Sequence, residues 1–156
     1  MEPKRNCQKR KRNDDPVHSE NPDARLLKKL GNSSEEMCLL LLLSSLGSYN
    51  IPKSILVHGC SPRLRWDDTG EVKKITAVDA DLDSDIFAFL SNDAALDRTL
   101  QALVSCSLLE LHTLPDGQPA LTIKPHSLRL VTQQISQRER DIYRIQAWVL
   151  SCQSLL

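Results

Sequence analysis

Aromatic side chains are scarce in this 156-residue chain: two Phe, two Trp and two Tyr make up 4% of it. With so few large rings, the core falls to aliphatic residues, chiefly leucine. Glycine is almost as sparse. Its five positions, 31, 47, 59, 70 and 117, give neither a G-x-x-x-x-G-K-[ST] phosphate cradle nor a G-x-G-x-x-G turn, so backbone N–H groups cannot be gathered around a phosphate in either way. There is no G-x-S-x-G elbow and no H-E-x-x-H zinc helix. Five cysteines include no C-x-x-C pair, and His58 with Cys60 lacks a second pair of ligands for zinc. No cysteine and histidine are singled out as a nucleophile and its base. The longest apolar run, Met37 to Leu43, is seven residues, against the ~20 that a membrane-spanning helix needs. The charged N-terminus has no apolar signal-peptide core. These absences argue against an enzyme, and lead us to expect no cofactor, metal or small-molecule substrate and no membrane span. Reduced thiols point to the cytoplasm, with the nucleus as the alternative.

Charge is present, but sorted. Lysine plus arginine and aspartate plus glutamate number 20 each, for a formal net charge of zero. Yet residues 1–12 hold Lys4, Arg5, Lys9, Arg10, Lys11 and Arg12 against Glu2 alone. Such an arm reads as a disordered tail over residues 1–24, with the composition of an import signal or a nucleic-acid-binding arm. Residues 67–85 hold seven acids against Lys73 and Lys74. Their spacing is not that of a calcium loop, so a solvated segment over 60–84 is expected. It is either a loop or a hairpin turning at Asp68-Thr69-Gly70 between Leu64/Trp66 and Val72/Ile75.

The rest is mainly helical. Ser33 and Glu36 form a capping box before MCLLLLLSSL, a run apolar on all sides and so expected at the centre of the core. Pro52 at a first helical position and Gly59 as a stop bound a short second helix. A short DIFAFL helix follows. Leu96, Leu100 and Leu103 then stripe a third main helix. SLLELHTL and PALTIKP flank the turn PDGQ as two strands. From Ser127, the expected N-cap, Leu128, Val131 and Ile135 stripe another helix, and a second capping box, Ser136 with Glu139, opens the last one. Helix, helix, helix, two-stranded wing and closing helices is the order of a winged helix. The fold class is therefore mainly α with a small β-hairpin, winged-helix-like over 25–136, with 137–156 as a linker-like C-terminal helix. Its stripe of Ile142, Ile145 and Val149 is the expected interaction surface.

The ordered set of Ile51-Pro52, Leu96 through Leu109, and Ile123 to His126 with Leu128 and Val131 resembles the winged-helix segment that follows the ATPase core in fungal NLR-like proteins. These belong to the STAND class, with NACHT or NB-ARC cores and TPR or ankyrin repeats. The resemblance spans roughly residues 26–136. It implies a regulatory protein-binding module whose partner is an ATPase core, a repeat domain or a second copy. In that family a histidine heads a Met-His-Asp motif and senses nucleotide phosphate. It falls on His126, flanked here by Pro125 and Ser127, and is thus a vestigial nucleotide-sensor position.

Many winged helices bind DNA, which makes a nuclear protein contacting nucleic acid through the basic arm the alternative reading. The helix in the recognition position, however, carries Asp93 and Asp97 against Arg98, a charge balance that phosphate repels. Nucleic acid is therefore the less favoured partner.

Overall fold

The computed structural model describes residues 34–47 and 49–155. The tail expectation, the basic arm and the Ser33 cap lie outside the described residues. The Leu-rich run forms α1 (Ser34–Leu46). Leu39, Leu40, Leu42 and Leu43 are almost completely buried and Leu41 nearly so, as an apolar circumference requires. Gly47, at φ +150°, breaks the helix while its N–H still donates to Leu43 O at 3.1 Å.

Ile51–Pro52 form a short strand, β1, before α2 (Lys53–His58). This corrects the placement of Pro52 inside a helix. Its ψ of 129° is extended, so it is the residue before the helix and Ile51 pairs with Leu121. Next comes a separate antiparallel hairpin, β2 (Arg63–Trp66) and β3 (Val72–Ile75), which settles the open choice between loop and hairpin. Asp67 builds its turn: Oδ1 accepts from the Thr69 and Glu71 N–H groups, both at 2.9 Å, and Gly70 takes φ +82°.

Two helices follow, α3 (Ser84–Leu90) and α4 (Asp93–Ser105), capped by Asp83 and Asn92. The wing is β4 (Leu109–Thr113) and β5 (Pro119–Ile123), in the register Leu109↔Ile123 and Leu111↔Leu121. With β1 it makes a three-stranded antiparallel sheet of order β1-β5-β4. One helix before the first strand, helices between it and the wing, and the first strand paired to the last is winged-helix connectivity. The mainly helical class with a small β part is thus observed, with the β2–β3 hairpin inserted between α2 and α3.

The chain closes with α5 (Pro125–Gln134) and α6 (Gln137–Leu155). The Ser136–Glu139 box forms between them: Glu139 Oε2 accepts from Ser136 N–H at 2.8 Å, and Glu139 N–H donates to Ser136 Oγ at 3.2 Å. The hydroxyl and amide of Ser136 hold the Glu139 carboxyl below its usual pKa range. α6 is not linker-like. Val149 and Leu150 join the same buried cluster as the α1 leucines. Gly59 lets α2 approach it closely, because a Cβ there would stand 2.8 Å from Leu150 O.

Candidate protein-docking surfaces

Three surfaces carry the candidate residues, and α6 presents the first. Its core face is set by Tyr143, Gln146, Ala147, Leu150 and Gln153, all buried or half-buried. Val149 is 5% exposed, so its expected place on an interaction stripe is corrected. The core needs a wider apolar face than one stripe supplies, and Val149 completes it. On the far side Ile145, Trp148 and Leu155 are 57%, 68% and 86% exposed. Their i, i+3, i+10 spacing puts them along one line of the helix, with half-buried Cys152 between Trp148 and Leu155. Ile142 is half-exposed and turned toward a neighbouring cleft. Of the expected stripe, Ile142 and Ile145 are exposed, and so are Trp148 and Leu155, which the stripe did not include. The signal was present: Ile145, Trp148, Cys152 and Leu155 fit the helical period as well as the chosen set did.

The second surface is that cleft, about 640 Å³, between α1, α3 and α6. Its apolar part includes Cys38, Ile86, Phe89, Ile142 and Tyr143, and its acids are Glu35, Asp83 and Asp85. Asp83 caps α3 through Oδ1, accepting from Asp85 N–H at 2.9 Å and Ile86 N–H at 3.2 Å. Gln146 locks this corner to α6. Its Oε1 accepts from Asp83 N–H at 2.6 Å, and its Nε2 donates to Asp81 O at 3.3 Å. Burial pushes the Cys38 thiol up to about 11, although a hydrogen bond from Tyr143 partly offsets it, and the Asp83 and Glu35 carboxylates add to the rise. Burial likewise raises the Tyr143 hydroxyl well above its usual range. A thiol so strongly protonated near pH 7 is a poor nucleophile.

The third surface lies where a winged helix offers its recognition helix and wing. A groove of about 490 Å³ runs between α4 and the sheet, with Leu100, Val104, Leu111 and Pro119 along it. At its end Lys53 Nζ meets Asp97 Oδ1 at 2.6 Å, so the lysine that lines the groove is already paired, while Arg98 of α4 itself is exposed. Asp93 is exposed. The groove is mainly apolar, and the residues along it include no free cation of the kind that phosphate contact requires.

His126 lies in the first turn of α5, half-buried, and forms no side-chain hydrogen bond among the described residues. Ser127 is not the cap. Lys124 precedes the helix, Pro125 starts it, and Ser127 is fully buried with Oγ donating to Leu108 O at 2.8 Å. Neither the cleft nor the groove includes His126. Among the described residues no group of His, Cys, Asp and Glu could hold a metal, and no helix is long and apolar enough to cross a membrane. Cys38, Cys60, Cys106 and Cys152 are free thiols.

Comparison with protein-family models, with curated proteins and with solved structures returns no match.

Proposed function

We propose that this chain works as a protein-docking module without catalytic chemistry, using a winged-helix scaffold to present an apolar line on its closing helix. The observation that carries the reading is the exposure of Ile145, Trp148 and Leu155 on a helix whose opposite face belongs to the core. A large exposed Trp beside aliphatic side chains is the residue combination that anchors protein interfaces. The occupant is an apolar helical face of another polypeptide. In the STAND-type frame suggested by the sequence, that is the ATPase core or repeat domain, and α6 is the element through which a change of state is passed on. The acidic character of α4 weighs against duplex DNA as the partner of the recognition face.

Dye binding and sedimentation with the purified chain test this. An exposed apolar line should bind ANS and drive concentration-dependent self-association when the natural partner is absent. Both should be lost in I145D/W148D, with the far-ultraviolet spectrum unchanged. A wild-type chain that stays monomeric and dye-silent at all accessible concentrations overturns the reading.

A further inference from the structure

We propose that the cleft between α1, α3 and α6 is the docking site for the chain's own basic N-terminal arm, residues 4–12. The cleft combines an apolar floor with three carboxylates, Glu35, Asp83 and Asp85, and among the described residues no Lys or Arg lines it. The arm supplies the missing sign: Lys4, Arg5, Lys9, Arg10, Lys11 and Arg12. Its tether begins at the cleft itself, because α1 starts at Ser34 and the next residue, Glu35, lines the wall.

Twenty-two residue steps separate Arg12 from Ser34, a reach of at most about 75 Å. A domain of this size is only about 30–40 Å across, so the arm reaches the cleft without difficulty. Tethering places it there at an effective concentration on the order of millimolar, enough for a contact too weak to form between separate molecules. Lysine and arginine stems suit such a cleft. Their methylenes can lie over Phe89 and Ile142 while their charged ends reach the carboxylates at the rim. Docking in this way takes the arm's cations out of reach of any polyanion, so the cleft acts as a mask. The Ile145–Trp148 line lies on a different side of α6 and takes no part in this docking.

Amide chemical shifts of the full chain test it. At about 0.01 M salt the screening length is ~30 Å, and at about 1 M it is ~3 Å. The signals of Glu35, Cys38, Asp85 and Phe89 should therefore move between the two conditions in the wild type. In K9Q/R10Q/K11Q/R12Q, which leaves every cleft residue in place, they should sit at their high-salt positions throughout. The E35Q/D83N/D85N variant should release the arm in the same way, and its amide oxygen at position 83 can still cap α3. Cleft signals that are identical in the wild type and the arm variant at low salt overturn the proposal. So do salt-dependent shifts that grow with protein concentration, since these place the arm of a second copy in the cleft.

Discussion

Gly59 and Ser127 hold the fold at single points, and each makes a sharp prediction. Gly59 has ordinary helical dihedrals, so its role is close approach and not backbone freedom. A Cβ there would lie 2.6 Å from Ile55 O, 2.8 Å from Leu150 O and 2.9 Å from Leu150 Cδ2. Two of those three atoms are backbone and cannot swing aside. Gly59→Ala must push α2 away from α6, at a cost of about 1–3 kcal/mol, read as a lower urea midpoint. Ser127→Ala removes a buried donor from Leu108 O, which keeps only the Lys124 N–H at 3.1 Å. A loss of about 1 kcal/mol follows, smaller than for Gly59 because the carbonyl retains that partner. Titration of thiols adds a third test at this scale. Burial raises Cys38 and Cys60 to about 11. The folded state therefore keeps protons that the unfolded state releases near pH 9. Their contribution to stability is complete below pH ~8.5 and lost as pH rises toward 11. At pH 8 these thiols should also alkylate about a hundredfold more slowly than an unperturbed cysteine, because burial leaves so much less of each thiol as the reactive thiolate. Rapid modification of either in the native chain would contradict their burial.

At the scale of elements, what was legible in the sequence was whatever depends on neighbours along the chain. The all-round leucine run of α1, the stripe of α4, the wing turn with Gly117 at φ +86° and the Ser136–Glu139 box follow from local periodicity and capping. What failed were features decided at a distance. Ile51-Pro52 becomes a strand because β5, about seventy residues on, offers Leu121 and Ala120 as partners. Ser127 turns inward because Leu108 O waits there, nineteen residues earlier. On α6 the helical pattern is ambiguous, since apolar residues occur on nearly every side. Two polar residues, Gln146 and Gln153, occupy the core face. Gln146 does so because it satisfies Asp83 N–H and Asp81 O, groups that no reading of helical period could reveal. The corrected geometry separates two substitutions that the sequence treats alike. Ile145→Asp exposes a charge to water and should leave stability within about 0.5 kcal/mol. Val149→Asp buries an unpaired carboxylate in the leucine core and should unfold the domain. Equal thermal midpoints for the two variants would sink this account of which side of α6 faces inward.

Over the whole molecule, a net charge of zero conceals separated blocks: a basic arm, an acidic cleft, and a recognition helix whose nearest lysine is tied to aspartate. The described domain's exposed cations are divided between separate elements, among them Arg65, Lys73 and Lys74 on the β2–β3 hairpin and Arg138 and Arg144 on α6. The arm gathers six within residues 4–12, so it is the element whose cations the cleft can withhold. Arm and polyanion then form a competition. A duplex neutralised by the six basic side chains would show a log–log salt slope of at most about −5. If the cleft occupies the same cations, binding to duplex must first release them, and the two equilibria are linked reciprocally. Removing the cleft's carboxylates should therefore strengthen duplex binding, although Glu35, Asp83 and Asp85 never touch the nucleic acid. We expect E35Q/D83N/D85N to bind a labelled duplex about fivefold or more tightly than wild type at low salt, a coupling of ~1 kcal/mol. K9Q/R10Q/K11Q/R12Q should bind weakly with or without the cleft changes. General loss of three negative charges also favours duplex binding, so an added control is D93N/D97N, which removes two acids from α4 without touching the cleft. A gain as large in that control as in the cleft variant would assign the effect to overall charge and rule out masking. A gain confined to the cleft variant, and erased at high salt, requires that the carboxylates beside Phe89 hold the arm.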